Sequence, residues 1–277
     1  MRPFPLAPLL VSALLLTLLV GYVFYATDQR HPADPGLPDD SPTGALRVLT
    51  WDAEARIPDE PGVTSRAVVE AVTGWVTARQ PHLVVLQSLE SRAEAEQIAA
   101  ALGAGWTLEA VPRYPGEANW LAILAAPPLV VRARHLVDAQ SAGFALALEV
   151  TTPGRHTVLA VCAGADTDAD RSRYYRERIL LWCTQHRRNV VILAGGLEGT
   201  AAVSGEAPTP GPQVSPGLPS RLGSEYLDLT AGLAPPGGMQ LTSRLCVAPI
   251  GVPVRGVGVA GTTANASVPV LADLGIP

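Results

Sequence analysis

Hydrophobic and polar positions divide the chain into three regimes. From Leu6 to Ala26 (LAPLLVSALLLTLLVGYVFYA) apolar residues run on without a charge. Thr27–Ala45 (TDQRHPADPGLPDDSPTGA) carries no apolar period and is crowded with Pro and Asp, the pattern of a linker or stalk. From Leu46 onward, short apolar runs alternate with amphipathic ones. Leu46–Trp51 (LRVLTW) predicts a strand, and Thr64–Arg79 predicts a helix with Val68, Val69, Val72, Trp75 and Val76 as its apolar stripe. His82–Gln87 (HLVVLQ) predicts a buried strand. Ser91, with Glu94 three residues on, forms a capping box that opens a second helix, and Gly103 ends it.

Strands are then expected at Trp106–Val111, Trp120–Leu124, Leu129–Val137 and Gly143–Thr151, the last with Phe144, Leu146, Leu148 and Val150 on one face. Pro153-Gly154 turns the chain into a hairpin partner at Arg155–Ala163. A helix follows over Ala169–Arg187, then a buried strand at Asn189–Ala194 (NVVILA). Ala201–Ser220 is a Pro/Gly/Ser loop, and strands return at Met239–Val247, Val252–Val259 and Ser267–Asp273. Two halves, each with strands, helices and a buried VVxL-type run, predict an α+β domain over residues 46–277. Its expected architecture is a four-layer α/β/β/α sandwich of two mixed sheets with outer helices.

The uncharged N-terminal run, about 21 residues, spans roughly 30 Å as a helix, the thickness of the hydrocarbon core. It predicts a transmembrane anchor, with a cleaved signal peptide as the competing reading. A cut after Ala26 would put bulky Phe24 where a small residue is preferred, whereas Tyr22 and Tyr25 suit an interfacial belt. Arg2 and the amino terminus favour an inside N-terminus, although Arg30 beyond the run weakens the asymmetry. The expectation is a single-pass membrane protein with its domain outside the cytoplasm.

Charge changes the picture next. Only 16% of the 277 residues are charged, against 48% hydrophobic, and the net charge is −5. The apolar content excludes a disordered chain, and the acidic balance disfavours tight nucleic-acid binding. All 20 basic residues are Arg. The Arg171–Arg178 run (RSRYYRER) reads as a solvated helix face with one tyrosine buried. The three cysteines lack CxxC spacing, so no zinc site is suggested. Cys183 sits on an apolar helix face. Cys162 and Cys246 fall in strands, where either a disulfide or two buried free thiols is open.

Five segments in order resemble landmarks of the endonuclease/exonuclease/phosphatase superfamily. LRVLTWDAEAR at Leu46–Arg56 resembles the opening LRVLTWN strand, and PHLVVLQSLES at Pro81–Ser91 resembles PDVVVLQEVE. NVVILAGGLEGT at Asn189–Thr200 resembles the strand ending in GDFN. LTSRLCVAP at Leu241–Pro249 resembles RIDYIFVSP, and ASVPVLADL at Ala266–Leu274 resembles SDHxPVVADL. The resemblance implies metal-dependent phosphoester hydrolysis. Oxygen ligands would hold a hard divalent cation, while a His–Asp pair and the GDFN Asp activate water.

Residue by residue, however, the chain departs from that pattern at nearly every catalytic position. Asp52 stands for the first Asn, Ser88 for the metal-binding Glu, Gly196 and Glu198 for the Asp and Asn of GDFN. Ser243 replaces the Asp of RIDY, and Ala266-Ser267 replaces the terminal Asp-His. Val161-Cys162-Ala163-Gly164 lacks the phosphate-contacting His. Groups that act as a unit leave little activity when all are lost. The expectation is a domain without catalytic residues and without a cofactor, acting by binding or structure on an unidentified protein or small-molecule partner. The alternative is a divergent metal-dependent phosphodiesterase or phosphatase. In it, Asp52, Glu198 and Glu90, which in an extended strand shares a face with Ser88, hold Mg²⁺ or another divalent cation, with Glu54 near the same strand ends. No GxSxG elbow suggests a serine nucleophile. His31, His82, His135, His156 and His186 lack an acidic partner at useful spacing, so surface and helix-end roles are expected for them.

Overall fold

Alternating side chains along each strand let a sheet feed two cores at once, and helices then cover whichever face points outward. The computed structural model describes residues 44–53, 63–114, 119–139, 143–164, 169–186, 190–195, 213–214, 226–230, 233, 243–249, 251–260 and 268–276. Thirteen strands and three helices lie among them. The first sheet takes β1 (Leu46–Asp52), β2 (Leu83–Leu89), β3 (Thr107–Pro112), β4 (Trp120–Ala125), β12 (Val254–Val259) and β13 (Val270–Leu274) in the order β12-β13-β1-β2-β4-β3. The second contains β5 (Val130–Asp138), β6 (Phe144–Thr151), β7 (Thr157–Ala163), β8 (Val190–Gly195), β9 (Gln213–Val214), β10 (Leu227–Asp228) and β11 (Arg244–Ala248), ordered β5-β6-β7-β8-β11-β10-β9.

Each sheet is mixed, with a parallel pair near its middle: β1 with β2, and β7 with β8. A parallel pair needs a crossover, and a helix supplies it in both halves. Helix α1 (Val63–Arg79) joins β1 to β2, and α3 (Ala169–His186) joins β7 to β8. Helix α2 (Arg92–Leu102) follows β2. Its cap is the expected one: Ser91 accepts a hydrogen bond from the Glu94 amide, and Gly103 ends the helix at φ 91°. Glu94 reaches one residue further back than a standard capping box, taking the amide of Glu90 at 2.7 Å.

Three apolar layers result. Leu46, Val48, Leu83, Val85 and Ile123 of the first sheet meet Leu146, Leu148, Val158, Ala160, Ile192 and Leu245 of the second. On the outer side of the first sheet, Leu49, Trp51, Val84 and Leu86 pack beneath Val68, Val72 and Trp75 of α1 and Ile98 of α2. On the outer side of the second, Leu159, Val161, Val191 and Leu193 pack beneath Tyr175, Ile179, Leu180 and Cys183 of α3. The expected sandwich of two mixed sheets with outer helices is present.

Several sequence expectations change in detail. The two-residue strands β9 and β10 are too short for any periodicity to reveal. The RSRYYRER run does bury one tyrosine, Tyr175, and leaves Tyr174 exposed, but Arg176 is also buried. All three cysteines are free and buried. Cys162 points into the inter-sheet core and Cys246 toward α3, on opposite faces of one sheet, so the Cys162–Cys246 disulfide does not form. Among the described residues no helix is long and apolar enough to cross a membrane. The expected anchor (Leu6–Ala26) lies outside the described residues.

Candidate functional site

At one end of the sandwich the inward-facing positions turn polar. Along β1 the inward series Leu46, Val48 continues with Thr50, and along β2 Leu83, Val85 continues with Gln87. Cys162 on β7 and Ser243 before β11 face them from the second sheet. Thr50, Gln87, Cys162 and Ser243 are all fully buried, and they satisfy one another. The Gln87 amide Nε2 donates to Thr50 Oγ1 at 3.2 Å. Thr50 and Ser243 hydroxyls meet at 2.8 Å, and Ser243 Oγ donates to Gln87 Oε1 at 2.9 Å. With Ser243 donating to Gln87, Thr50 supplies the proton of the middle bond, so the three form a closed ring in which each hydroxyl both donates and accepts. Gln87 Nε2 also reaches the Val85 carbonyl at 3.2 Å and Cys162 Sγ at 3.7 Å, and the thiol donates to the Leu86 carbonyl at 3.2 Å. Burial pushes the Cys162 thiol up to about 12, and the charge of Asp52 adds to that rise, so it stays protonated.

The strand ends beyond this ring hold the positions singled out by the resemblance. Asp52, the last residue of β1, is buried and pairs in register with Gln87. Ser88 is half-buried with φ 56°, in a stretch where the β2–β4 register shifts between Leu86 and Leu89. The backbone there is not extended, which corrects the expectation that Glu90 shares Ser88's face. Glu90 instead accepts a hydrogen bond from Ser65 of α1 at 2.8 Å. Ser243 is part of the ring rather than a group presented to solvent. Gly195 ends β8 at φ 132°, and a Cβ there would lie 1.7 Å from the Ala163 carbonyl, so only glycine fits. Gly196, Glu198, Ala266, Ser267 and Glu54 lie outside the described residues.

One residue absent from the sequence reading dominates the second sheet's side of this end. Arg113, just past β3, is buried. Its guanidinium lies 4.9 Å from the Tyr114 ring centre and 5.2 Å from that of Tyr175. Its stem fills the side-chain space of Gly164, where a Cβ would come within 2.5 Å of Arg113 Cδ. Gly164 closes the segment in which the resemblance expects a His. Tyr175 fixes that corner, its hydroxyl donating to the Phe144 carbonyl at 2.7 Å and accepting from the Gly164 amide at 3.2 Å. A cation emerging from a Pro-Arg-Tyr turn carries no sequence signal of its burial.

Toward the hard divalent cation that the resemblance implies, Asp52 brings a carboxylate to this end, while Glu54 and Glu198 lie outside the described residues. Such an ion wants several anionic oxygens. Ser88 offers a neutral hydroxyl, the Thr50 and Ser243 hydroxyls are spent on the ring, and a guanidinium stands at the Gly164 corner. Among the described residues no group of three or more His, Cys, Asp and Glu side chains is placed to share an ion. No described histidine reaches this end. His82 accepts from the Arg47 amide at the other end of the first sheet, His156 sits at the β6–β7 turn, and His135 and His186 lie over the outer face of the second sheet.

No family model matches the sequence, and no curated protein matches it. Solved structures do match. An endonuclease/exonuclease/phosphatase from Bacteroides vulgatus superposes with a TM-score of 0.64 at 14% identity, covering 84% of this chain and 99% of its own. A mannosyl-6-phosphatase of Bacteroides thetaiotaomicron gives 0.64 at 11% identity, with 83% and 99% covered. The catalytic domain of human Nocturnin gives 0.62 at 14% identity, with 88% and 98% covered. Two mixed sheets with a helix-bridged parallel pair in each, their strand ends converging on one polar pole, thus have the fold of the endonuclease/exonuclease/phosphatase superfamily.

Proposed function

We propose that this domain has given up phosphoester hydrolysis and works by binding or as a structural module, tethered to a membrane through Leu6–Ala26. The observation that carries the reading is the closed Thr50–Gln87–Ser243 ring. A hydrolase of this fold needs charged oxygens aimed outward at that pole, and the reading is supported by the described inward positions beside Asp52, which are neutral groups that satisfy each other. Arg113 over Gly164 supports the same conclusion, since its stem occupies the space a catalytic side chain at 164 would need. The tether rests on the uncharged N-terminal run, and the domain stands outside the cytoplasm in this reading. Its partner is a protein or small molecule; the net charge of −5 argues against tight nucleic-acid binding.

The test is a titration of the chain with Mg²⁺, Mn²⁺ and Ca²⁺ in the presence of generic phosphomonoester and phosphodiester substrates. The expected result is no turnover and no metal-dependent rise in melting temperature. Metal-dependent turnover abolished by Glu198→Ala or Asp52→Ala overturns the proposal in favour of the divergent hydrolase. A chain recovered in the aqueous fraction after membrane extraction overturns the tether.

A further inference from the structure

We propose that His135 and His186 form a two-imidazole site for a borderline transition-metal ion, Cu²⁺ before Ni²⁺ or Zn²⁺, on the outer face of the second sheet. The two residues are 51 positions apart in sequence, yet the fold brings their ring centres to 6.2 Å. His135 projects from the edge strand β5, opposite the small Ala147 of β6, and His186 lies in the last turn of α3. Trp182 holds them together: its indole stacks on His186 at 4.2 Å with an interplanar angle of 16° and lies 5.4 Å from His135.

The hydrogen bonding favours a ligand role for His186. Its Nδ1 is 2.8 Å from the Trp182 carbonyl. A carbonyl only accepts, so the proton is on Nδ1 and the lone pair is on Nε2. This is the anchoring that orients metal-bound imidazoles generally, with the far nitrogen left to the ion. Metal–nitrogen bonds of ~2.0–2.1 Å put two imidazoles on a common ion with ring centres roughly 5–6 Å apart. The observed separation of 6.2 Å lies slightly beyond that span, and the exposed His186 at the helix end has room to close the difference. Imidazole is the ligand type shared by Cu, Ni and Zn, and the Irving–Williams order places Cu²⁺ first. Water completes the coordination, and the indole shields one side of the ion. Mg²⁺ and Ca²⁺, which want oxygen ligands, have nothing to bind here.

The experiment titrates the whole chain with CuCl₂, NiCl₂, ZnCl₂ and MgCl₂ while following tryptophan emission and melting temperature. Cu²⁺ and Ni²⁺ are expected to quench part of the emission. Cu²⁺, Ni²⁺ and Zn²⁺ are expected to raise the melting temperature because the site bridges strand to helix only in the folded chain; Mg²⁺ does neither. His135→Gln and His186→Gln should each weaken Cu²⁺ binding at least ten-fold while melting normally without metal. Trp182→Phe should retain the stabilisation and lose the quenching. Quenching and stabilisation that are equal in wild type and in both His variants, or absent from wild type, overturn the proposal. If a Gln variant melts abnormally, His186→Ala and His135→Ala measured by Cu²⁺ electron paramagnetic resonance decide: loss of the two-nitrogen signature supports the site, and its persistence rejects it.

Discussion

The guanidinium of Arg47 grips the carboxylate of Asp273 through two parallel hydrogen bonds, Nε to Oδ1 at 2.7 Å and a second nitrogen to Oδ2 at 2.8 Å, with both side chains sealed from solvent. The pair joins the first strand of the domain to the last across 226 positions of sequence. A third donation from Arg47 reaches the carbonyl of Arg79 at 2.8 Å, placing positive charge at the C-terminus of α1.

Removing either partner strands the other as a buried charge. Arg47→Ala and Asp273→Ala are each expected to destabilise the domain by about 3–5 kcal/mol. The pair Arg47→Met with Asp273→Leu should cost far less than the sum of the single changes. Urea midpoints measured for all three variants read this directly.

His82 makes stability pH-dependent from the same end of the sheet. Its Nδ1 accepts the Arg47 amide at 3.0 Å, which requires an unprotonated nitrogen. Burial, and then the Arg47 charge, hold its pKa below the ordinary histidine value. The unfolded chain therefore takes up the proton first. Stability from this group is complete above about pH 6.5, is lost as the pH falls through that value, and levels off below the folded pKa. His82→Asn keeps an acceptor and should flatten the slope, as melting temperatures between about pH 8 and about pH 5 would reveal.

Opening the polar ring has a defined cost. Ser243→Ala leaves Gln87 Oε1 without its donor and the Thr50 hydroxyl without its acceptor, and about 1–3 kcal/mol of stability should go with them. Ser243→Asp restores a family-like carboxylate but places it among fully buried groups. It should destabilise more than the alanine and yield no hydrolysis, checked by chemical denaturation beside a phosphoester assay.

Gly164 and Gly195 separate side-chain crowding from backbone crowding. Gly164→His drives a ring into the Arg113 stem and should cost about 1–3 kcal/mol, partly recovered when Arg113→Ala is added. Gly195→Ala meets a backbone carbonyl at 1.7 Å and a positive φ, so it should cost roughly 3 kcal/mol or more with no such rescue. Thermal melts of Gly164→His and Gly195→Ala, each alone and each combined with Arg113→Ala, distinguish the cases.

Patterning located the strands and helices because each face of each sheet is apolar, and apolar periods survive in sequence. Leu46–Trp51, His82–Gln87 and Asn189–Ala194 differ from the observed β1, β2 and β8 by only one or two residues at their ends. The pole was harder. Thr50 and Gln87 look like ordinary strand residues until the second sheet brings Ser243 against them from 193 and 156 positions away. Arg47 and Arg113 are buried against groups from elements remote in the chain, Asp273 for the first and Gly164 and Tyr175 for the second, so no local pattern marks them. Glu90 departs from its expected face for a local reason: nothing in Gln-Ser-Leu-Glu announces the left-handed backbone at Ser88.

The opposite facing of Cys162 and Cys246 has a consequence for where the domain can exist. With Cys183 buried as well, each thiol is enclosed by packing and no covalent bridge joins any strand to another. The fold is therefore complete without an oxidant. A reductant added to the medium is expected to leave its melting curve where it was.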